Sequence, residues 1–188
     1  MSEYFSKGSA DPGSLVAENL HAISQLVELL IRLPPPLYRE RFGVKKQHVI
    51  GKHVRHIIDH YTALLTALYE KPEAPLNYEN REREALLELD ARAACQRLLA
   101  IRESVASIHP DLQSRLLAME HGSDDGKSPV TTSVGRELVF LSSHSIHHMA
   151  IIGMLVEQAG IEVSDEFGVH PSTLRHQQRL QTSLAQSA

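Results

Sequence analysis

Four apolar runs of helical length, each closed by proline or glycine, constrain this chain more than any other feature. The first carries Leu15, Leu20, Ile23, Leu26, Val27, Leu30 and Ile31 on a helical spacing, with Ser14 or Asp11 available as its cap. Pro34-Pro35-Pro36 ends it, because proline has no N–H to donate and restricts the residue before it. The second runs from about Gln47 to Tyr69 with Val49, Ile50, Val54, Ile57, Tyr61, Leu64, Leu65 and Leu68 as its stripe, and stops at Lys71-Pro72-Glu73-Ala74-Pro75. The third passes through Leu86, Leu89, Ala93, Leu98 and Ile101 to about Ile108, before His109-Pro110. The fourth takes its cap from Thr131 to Ser133 and reaches Ala159, where Gly160 terminates it.

The connections read differently. Residues before Ser14 form a loose lead-in, and residues 111–120, with Leu112, Leu116, Leu117 and Met119, read as a strand or an extended arm. Gly122-Ser123-Asp124-Asp125-Gly126-Lys127-Ser128-Pro129 reads as a loop. The tail from Asp165 holds Phe167-Gly168-Val169-His170-Pro171-Ser172-Thr173-Leu174 and then a polar, helical or frayed end. Only 5% of residues are aromatic and none is tryptophan, which suits helices of Leu, Ile, Val and Ala better than an aromatic-rich sandwich. The expected fold is all-α, an antiparallel four-helix bundle in one domain over residues 1–188, with its core at about 14–160, a short N-terminal extension and a C-terminal extension at 161–188.

Charge and cysteine content exclude several classes. A net charge of -4 argues against a broad nucleic-acid footprint. The lone Cys95 rules out an internal disulfide framework and reads as a small packed residue in a reducing compartment. His, Arg, Asp or Glu interrupts the apolar stretches before the roughly 18 residues a membrane span needs. No cationic segment followed by an apolar run opens the chain, so a cytoplasmic protein with no membrane partner is expected. No Gly-rich phosphate loop, His-Glu-x-x-His or nucleophile elbow occurs.

The chemistry lies in twelve histidines. His144 and His148, four apart in the fourth run, are separated by about 40° on a helix, and Leu141, Ile151 and Leu155 fall within about 60° of His144. Both therefore sit on the stripe that faces the interior. His147 lies on its flank, and Glu137 falls near its centre two turns earlier. Burying two imidazoles one turn apart costs free energy unless their nitrogens find partners, and a shared cation is one solution. Hydrogen bonds to a buried carboxylate such as Glu137 are another. His53, His56 and His60 cluster on the second run, at the edge of its stripe. His53 and His60 point slightly nearer the stripe centre than His56, so spacing does not choose among the three. His21, His48, His109, His121, His170 and His176 fall near helix ends or in polar segments and read as surface residues.

Gly51-Lys52-His53-Val54-Arg55-His56-Ile57-Ile58-Asp59-His60-Tyr61 and Phe140-Leu141-Ser142-Ser143-His144-Ser145-Ile146-His147-His148-Met149-Ala150 resemble the two signatures of the DinB-like superfamily, over roughly residues 14–160. The resemblance implies a four-helix bundle with an open three-histidine site for zinc, nickel or iron. Its ligands would be His56, His144 and His148, with His53 as the fallback, and His53, His60, His147 and Glu137 would be partners that orient the ligands or stand in for them. Relatives in that superfamily include thiol-dependent S-transferases and the iron domains of sulfoxide synthases. The implied function is a metal-dependent transferase or hydrolase acting on a small molecule or thiol, with a non-catalytic bundle as the alternative. A homodimer is expected.

Tyr78, Arg81 and Arg83 open a stretch of alternating charge that reads first as an exposed helix start. The second reading makes Tyr78 and Arg81 the lining of a pocket for an anionic ligand.

Overall fold

Local caps and breaks set the element boundaries in the computed structural model, which describes residues 14–122, 126 and 128–186. The lead-in, the alternative cap Asp11, and Ser123, Asp124, Asp125 and Lys127 of the loop lie outside the described residues. Ser14 Oγ accepts from the Ala17 amide and starts α1, Leu15–Arg32. Its buried face holds Ile23, Leu26, Val27 and Leu30 as expected, together with Leu29, whereas Ile31 is exposed. The proline triplet ends α1 and also begins α2, Pro35–Tyr38, because proline is preorganised for the first helical position. An isolated bridge between Phe42 and His48 delays α3 to Ile50–Leu65, later than Gln47, and its last turn widens into a π segment, Thr66–Glu70.

The third run divides. Asp90 adopts an extended conformation and its carboxylate accepts from the Arg92 and Ala93 amides, so α4, Leu86–Leu89, stops and α5, Ala91–Ala106, starts afresh. A 3₁₀ turn, Pro110–Ser114, leads into β1, Leu116–His121, which pairs antiparallel with β2, Ser128–Ser133, from Leu116 opposite Ser133 to His121 opposite Ser128. The extended reading holds for β1. Its partner was read only as loop and cap, and this hairpin corrects the all-α expectation to a mostly helical chain with a small sheet. Val130, Thr131 and Thr132 favour strand geometry, yet only pairing with β1 makes them one. Ser133 then caps α6, Val134–Gln158, and Gly160 at φ +80° closes it. The polar tail forms α7, Pro171–Gln186.

Helices α5 and α6 each pack between α1 and α3. Asn19, fully buried on α1, ties three of them together. Its amide donates to the Leu138 carbonyl on α6 at 3.0 Å, and its oxygen accepts from Tyr61 on α3 at 2.7 Å. A satisfied buried polar crosslink of this kind favours one arrangement of the helices over its alternatives. Contrary to expectation, α6 is long and apolar enough to cross a membrane; half of its most apolar stretch is buried, with Leu138, Leu141, Met149 and Ile152 in the core. Cys95 is half-buried and burial pushes its thiol pKa up, the behaviour of a packed residue and not of a nucleophile.

Candidate metal centre

The seam between α3 and α6 gathers five histidines because each helix lays a histidine row along the edge of its buried stripe. On α3, Val54, Ile57, Ile58 and Tyr61 are buried, and this holds His53 and His56 half-buried and His60 buried at 6% exposure. On α6, Leu141, Ser145, Met149 and Ile152 are buried, and His144 and His148 flank them half-buried. The α6 pair therefore stands at the rim of the core, short of the interior position that spacing alone suggests. His147 is exposed, with its ring 5.3 Å from that of His148.

The nitrogens converge in two sets. His56 Nε2 lies 3.0 Å from His144 Nε2, and His56, His60 and His144 each offer a ligand atom within 4.8 Å of the others. His53 Nδ1 meets His148 Nδ1 at 2.9 Å. Metal–nitrogen bonds of about 2.0–2.1 Å place two ligands of one ion about 2.9 Å apart at a right angle and about 3.4 Å apart at the tetrahedral angle. The His56–His144 separation falls inside that range. Of the three ligands implied by resemblance, His56 and His144 come together directly. His148 is close by, its ring 4.5 Å from that of His56 and 4.7 Å from that of His144, but its Nδ1 is turned to His53. His60 takes its place in the converging trio.

Burial keeps these imidazoles neutral, the form that ligates. It is the largest cause at each of them, and neighbouring histidines add to it. His56 is lowered to about 2, His148 to about 3 and His60 to about 4, while His53 and His144 are also lowered. An unfolded histidine titrates near 6.5, so below that pH the unfolded chain binds protons that the folded chain refuses. Metal-free protein is thus expected to lose stability steadily as pH falls from about 6.5 towards 4, and to show no contribution from these groups above 7. Melting temperatures at pH 7.5, 6 and 5 after chelation measure this; a flat series would show imidazoles that protonate normally.

The surroundings orient the imidazoles. His60 Nδ1 lies 2.8 Å from the His56 carbonyl; with a proton there it donates to that oxygen and leaves Nε2 as the free lone pair. Tyr78 stacks on His60 at 5.2 Å between centroids and 19° between planes, and Phe140 stacks on His144 at 5.2 Å and 23°. Glu137 is fully buried, as its central position on α6 suggests, but it touches no histidine. It accepts from Tyr78 Oη at 2.8 Å, Thr132 Oγ1 at 2.5 Å and Arg136 at 2.9 Å. Its effect on the centre therefore runs through Tyr78, which it holds against His60.

Residues 77–84 are not a helix start. Arg81 is half-buried, and its Nη1 lies 2.8 Å from His60 Nδ1 and 3.2 Å from His56 Nδ1, donating to whichever of these nitrogens carries no proton. The alternating charges Glu79, Glu82 and Arg83 concealed this, since only Arg81 turns inward. A cleft of about 530 Å³ on the far side of α3, lined by Asp59, Thr62, Thr66 and Asn77, meets the histidines only at Arg81. His170, assigned to the surface, is half-buried and contacts Ser143 Oγ at 3.3 Å and Ser172 Oγ at 2.8 Å. The other five histidines of that group are exposed.

A family model described as DinB family matches residues 5–167. Among curated proteins, one described as FK506-binding protein 5, from Rhizopus delemar, is 36% identical over 104 residues, covering 54% of this chain. The match covers 27% of that protein, so the chain spans about a quarter of its length. No solved structure matches the chain.

Proposed function

The chain belongs to the DinB family, and from that premise we propose that it binds one divalent ion, zinc, nickel or iron, at the α3–α6 seam and uses it on a small molecule. The convergence of His56 Nε2 and His144 Nε2 at 3.0 Å, with His60 alongside, carries this reading. His56 and His144 are the first two ligands. His60 is the third in the geometry described, and His148, one turn from His144 and in ring contact with His56, is the alternative third or a fourth. Helices α1, α3, α5 and α6, with α5 and α6 each between α1 and α3, form the antiparallel bundle that presents them.

A three-imidazole set leaves coordination positions open, and an ion held there polarises an oxygen or sulfur atom of a ligand. The chain's own residues do the rest. Tyr78 and Phe140 fix the ring planes of His60 and His144, and the His56 carbonyl fixes the His60 tautomer. The half-burial of His53, His56, His144 and His148 leaves a route for a small molecule or thiol. A transferase or hydrolase is the reaction class proposed, and a homodimer the assembly.

One observation favours a second reading. Arg81 donating to His56 Nδ1, with His56 Nε2–H donating to His144 Nε2, makes a hydrogen-bonded chain that satisfies these nitrogens without an ion. Metal analysis of protein purified without a nickel column separates the two. About one ion per chain is expected, and less than a tenth would favour the polar network. His148→Ala then distinguishes an open centre from a structural one: the former predicts weaker ligand binding with modest destabilisation, the latter a large fall in melting temperature.

A further inference from the structure

Among the described residues Arg81 is the cation set against the histidines of the seam, and no carboxylate hydrogen-bonds to its guanidinium, although the nearby Asp59 charge favours its charged form. Its guanidinium rests on two neutral imidazoles, and its Nε is buried with no hydrogen-bond partner. Nearby carboxylates are committed elsewhere among the described residues. Asp59 and Glu88 pair with Arg55, Glu84 pairs with Arg97 at 2.8 Å, and Glu137 is taken by Tyr78, Thr132 and Arg136. The converging ligand trio contains only imidazoles, so the centre has no negative charge of its own.

This inference rests on the metal reading above. An imidazole that binds an ion through Nε2 must carry its proton on Nδ1, and an Nδ1–H is a donor. The guanidinium has donors only. On loading, both Nδ1 atoms facing Arg81 carry protons and neither can accept from it, His60 donating to the His56 carbonyl and His56 left without an acceptor, and a divalent charge is added to a site that already holds one cation. Both changes have the same remedy: an acceptor carrying negative charge between the guanidinium and the open coordination positions. A carboxylate has the planar pair of oxygens that matches the guanidinium fork. A phosphate dianion presents more oxygens than a single fork and a Tyr78 hydroxyl already donating to Glu137 can satisfy.

We propose that the ligand taken up by the loaded centre is a small carboxylate, and that Arg81 is the residue that selects it. The geometry gives Arg81 a place on the protein side of the ligand, with its side chain rotating from the imidazoles to the carboxylate. Neutral analogues of the same shape would leave the guanidinium without an acceptor, and buried donors left unpaired discriminate strongly.

Cobalt serves as a visible reporter of the open positions. Wild-type and Arg81→Gln protein, each loaded with cobalt and assayed for metal content, are titrated with benzoate, benzamide and inorganic phosphate while the visible spectrum and melting temperature are recorded. Benzoate is expected to shift both in the wild type, and benzamide and phosphate to shift neither at the same concentration. In Arg81→Gln benzoate should bind at least about tenfold more weakly at unchanged cobalt content. Equal binding of benzoate and benzamide, binding of phosphate alone, or undiminished benzoate binding in Arg81→Gln overturns the proposal. Loss of cobalt from Arg81→Gln also overturns it, by assigning Arg81 to holding the ligands in place. If the wild type takes up no cobalt, the metal reading itself fails and this inference falls with it. The benzoate, benzamide and phosphate comparison in the wild type does not depend on how Arg81→Gln folds.

Discussion

Replacing His144 by alanine is expected to reduce bound metal from about one ion per chain to almost none. His144 belongs to the ligand set implied by the resemblance and to the trio the structure brings together, so its loss is felt whichever third histidine completes the site. Structural zinc sites bind with roughly 10–16 kcal/mol over four ligands, about 3 kcal/mol each, which puts the expected fall in affinity at 100-fold or more. Residues that only orient a ligand cost about 10- to 100-fold, so His144→Ala should exceed Tyr78→Phe, which removes the hydroxyl tied to Glu137 and keeps the stacked ring. His147→Ala, at an exposed position on the same helix, should keep its ion. Elemental analysis of the three variants measures the difference, and a stoichiometric ion in His144→Ala would sink the assignment.

Gly51→Ala should destabilise the fold strongly. A Cβ on Gly51 would stand 2.1 Å from the Glu88 carbonyl oxygen and 2.9 Å from Tyr38 Cε1. The first neighbour is backbone and cannot turn aside, so α3 and α4 must separate. That separation strains two contacts that hold α4: Tyr38 Oη of α2 donating to the Leu87 carbonyl at 2.5 Å, and Arg55 Nε of α3 on Glu88 at 2.7 Å. Alanine improves helix propensity by at most about 1 kcal/mol. Overpacking of this severity costs about 3 kcal/mol, and a lost buried hydrogen bond about 1 more. The clash wins, and a net loss of about 3 kcal/mol corresponds to a fall of roughly 6–12 °C in melting temperature for a chain of this size. Gly126, with nothing within 4 Å of its would-be Cβ, is the matched control and should tolerate alanine. The same α3–α4 seam carries Arg55, the residue before His56, so Gly51→Ala also tests how far the histidine row depends on where α3 is held.

Much of the fold was legible because its signals are local. Ser14, Pro34 and Gly160 act on their own neighbours through a cap, a missing donor and a positive φ, and each element end they mark is where the sequence places it. Asp90 was missed for a local reason too. The apolar spacing of Leu86, Leu89, Ala93 and Leu98 continues across it in register, which hid a carboxylate capping a new helix. The hairpin was half seen, because Thr131 to Ser133 carry a cap signal and a strand signal at once and only Leu116–His121 decides between them.

The centre divides along the same line. Spacing by itself determined that His144 and His148 share a face, that Glu137 is buried, and that a histidine row on α3 flanks the core, since helical periodicity is a property of one segment. Which α3 histidine meets His144 was not determinable, because His53, His56 and His60 differ by one turn each and an axial offset of about 5.4 Å between the helices exchanges one for the next. The packing of α3 on α6 decided for His56 and His60, and turned His148 to His53. Arg81 was further out of reach. It arrives from an irregular segment anchored where Leu76 joins the edge of β1, accepting from Glu120 N at 2.9 Å and donating to the Ala118 carbonyl at 2.8 Å. The sequence determined which faces carry imidazoles; only the tertiary structure, through helix offset and the bridge between Leu76 and Met119, decided which nitrogens converge and set a cation beside them.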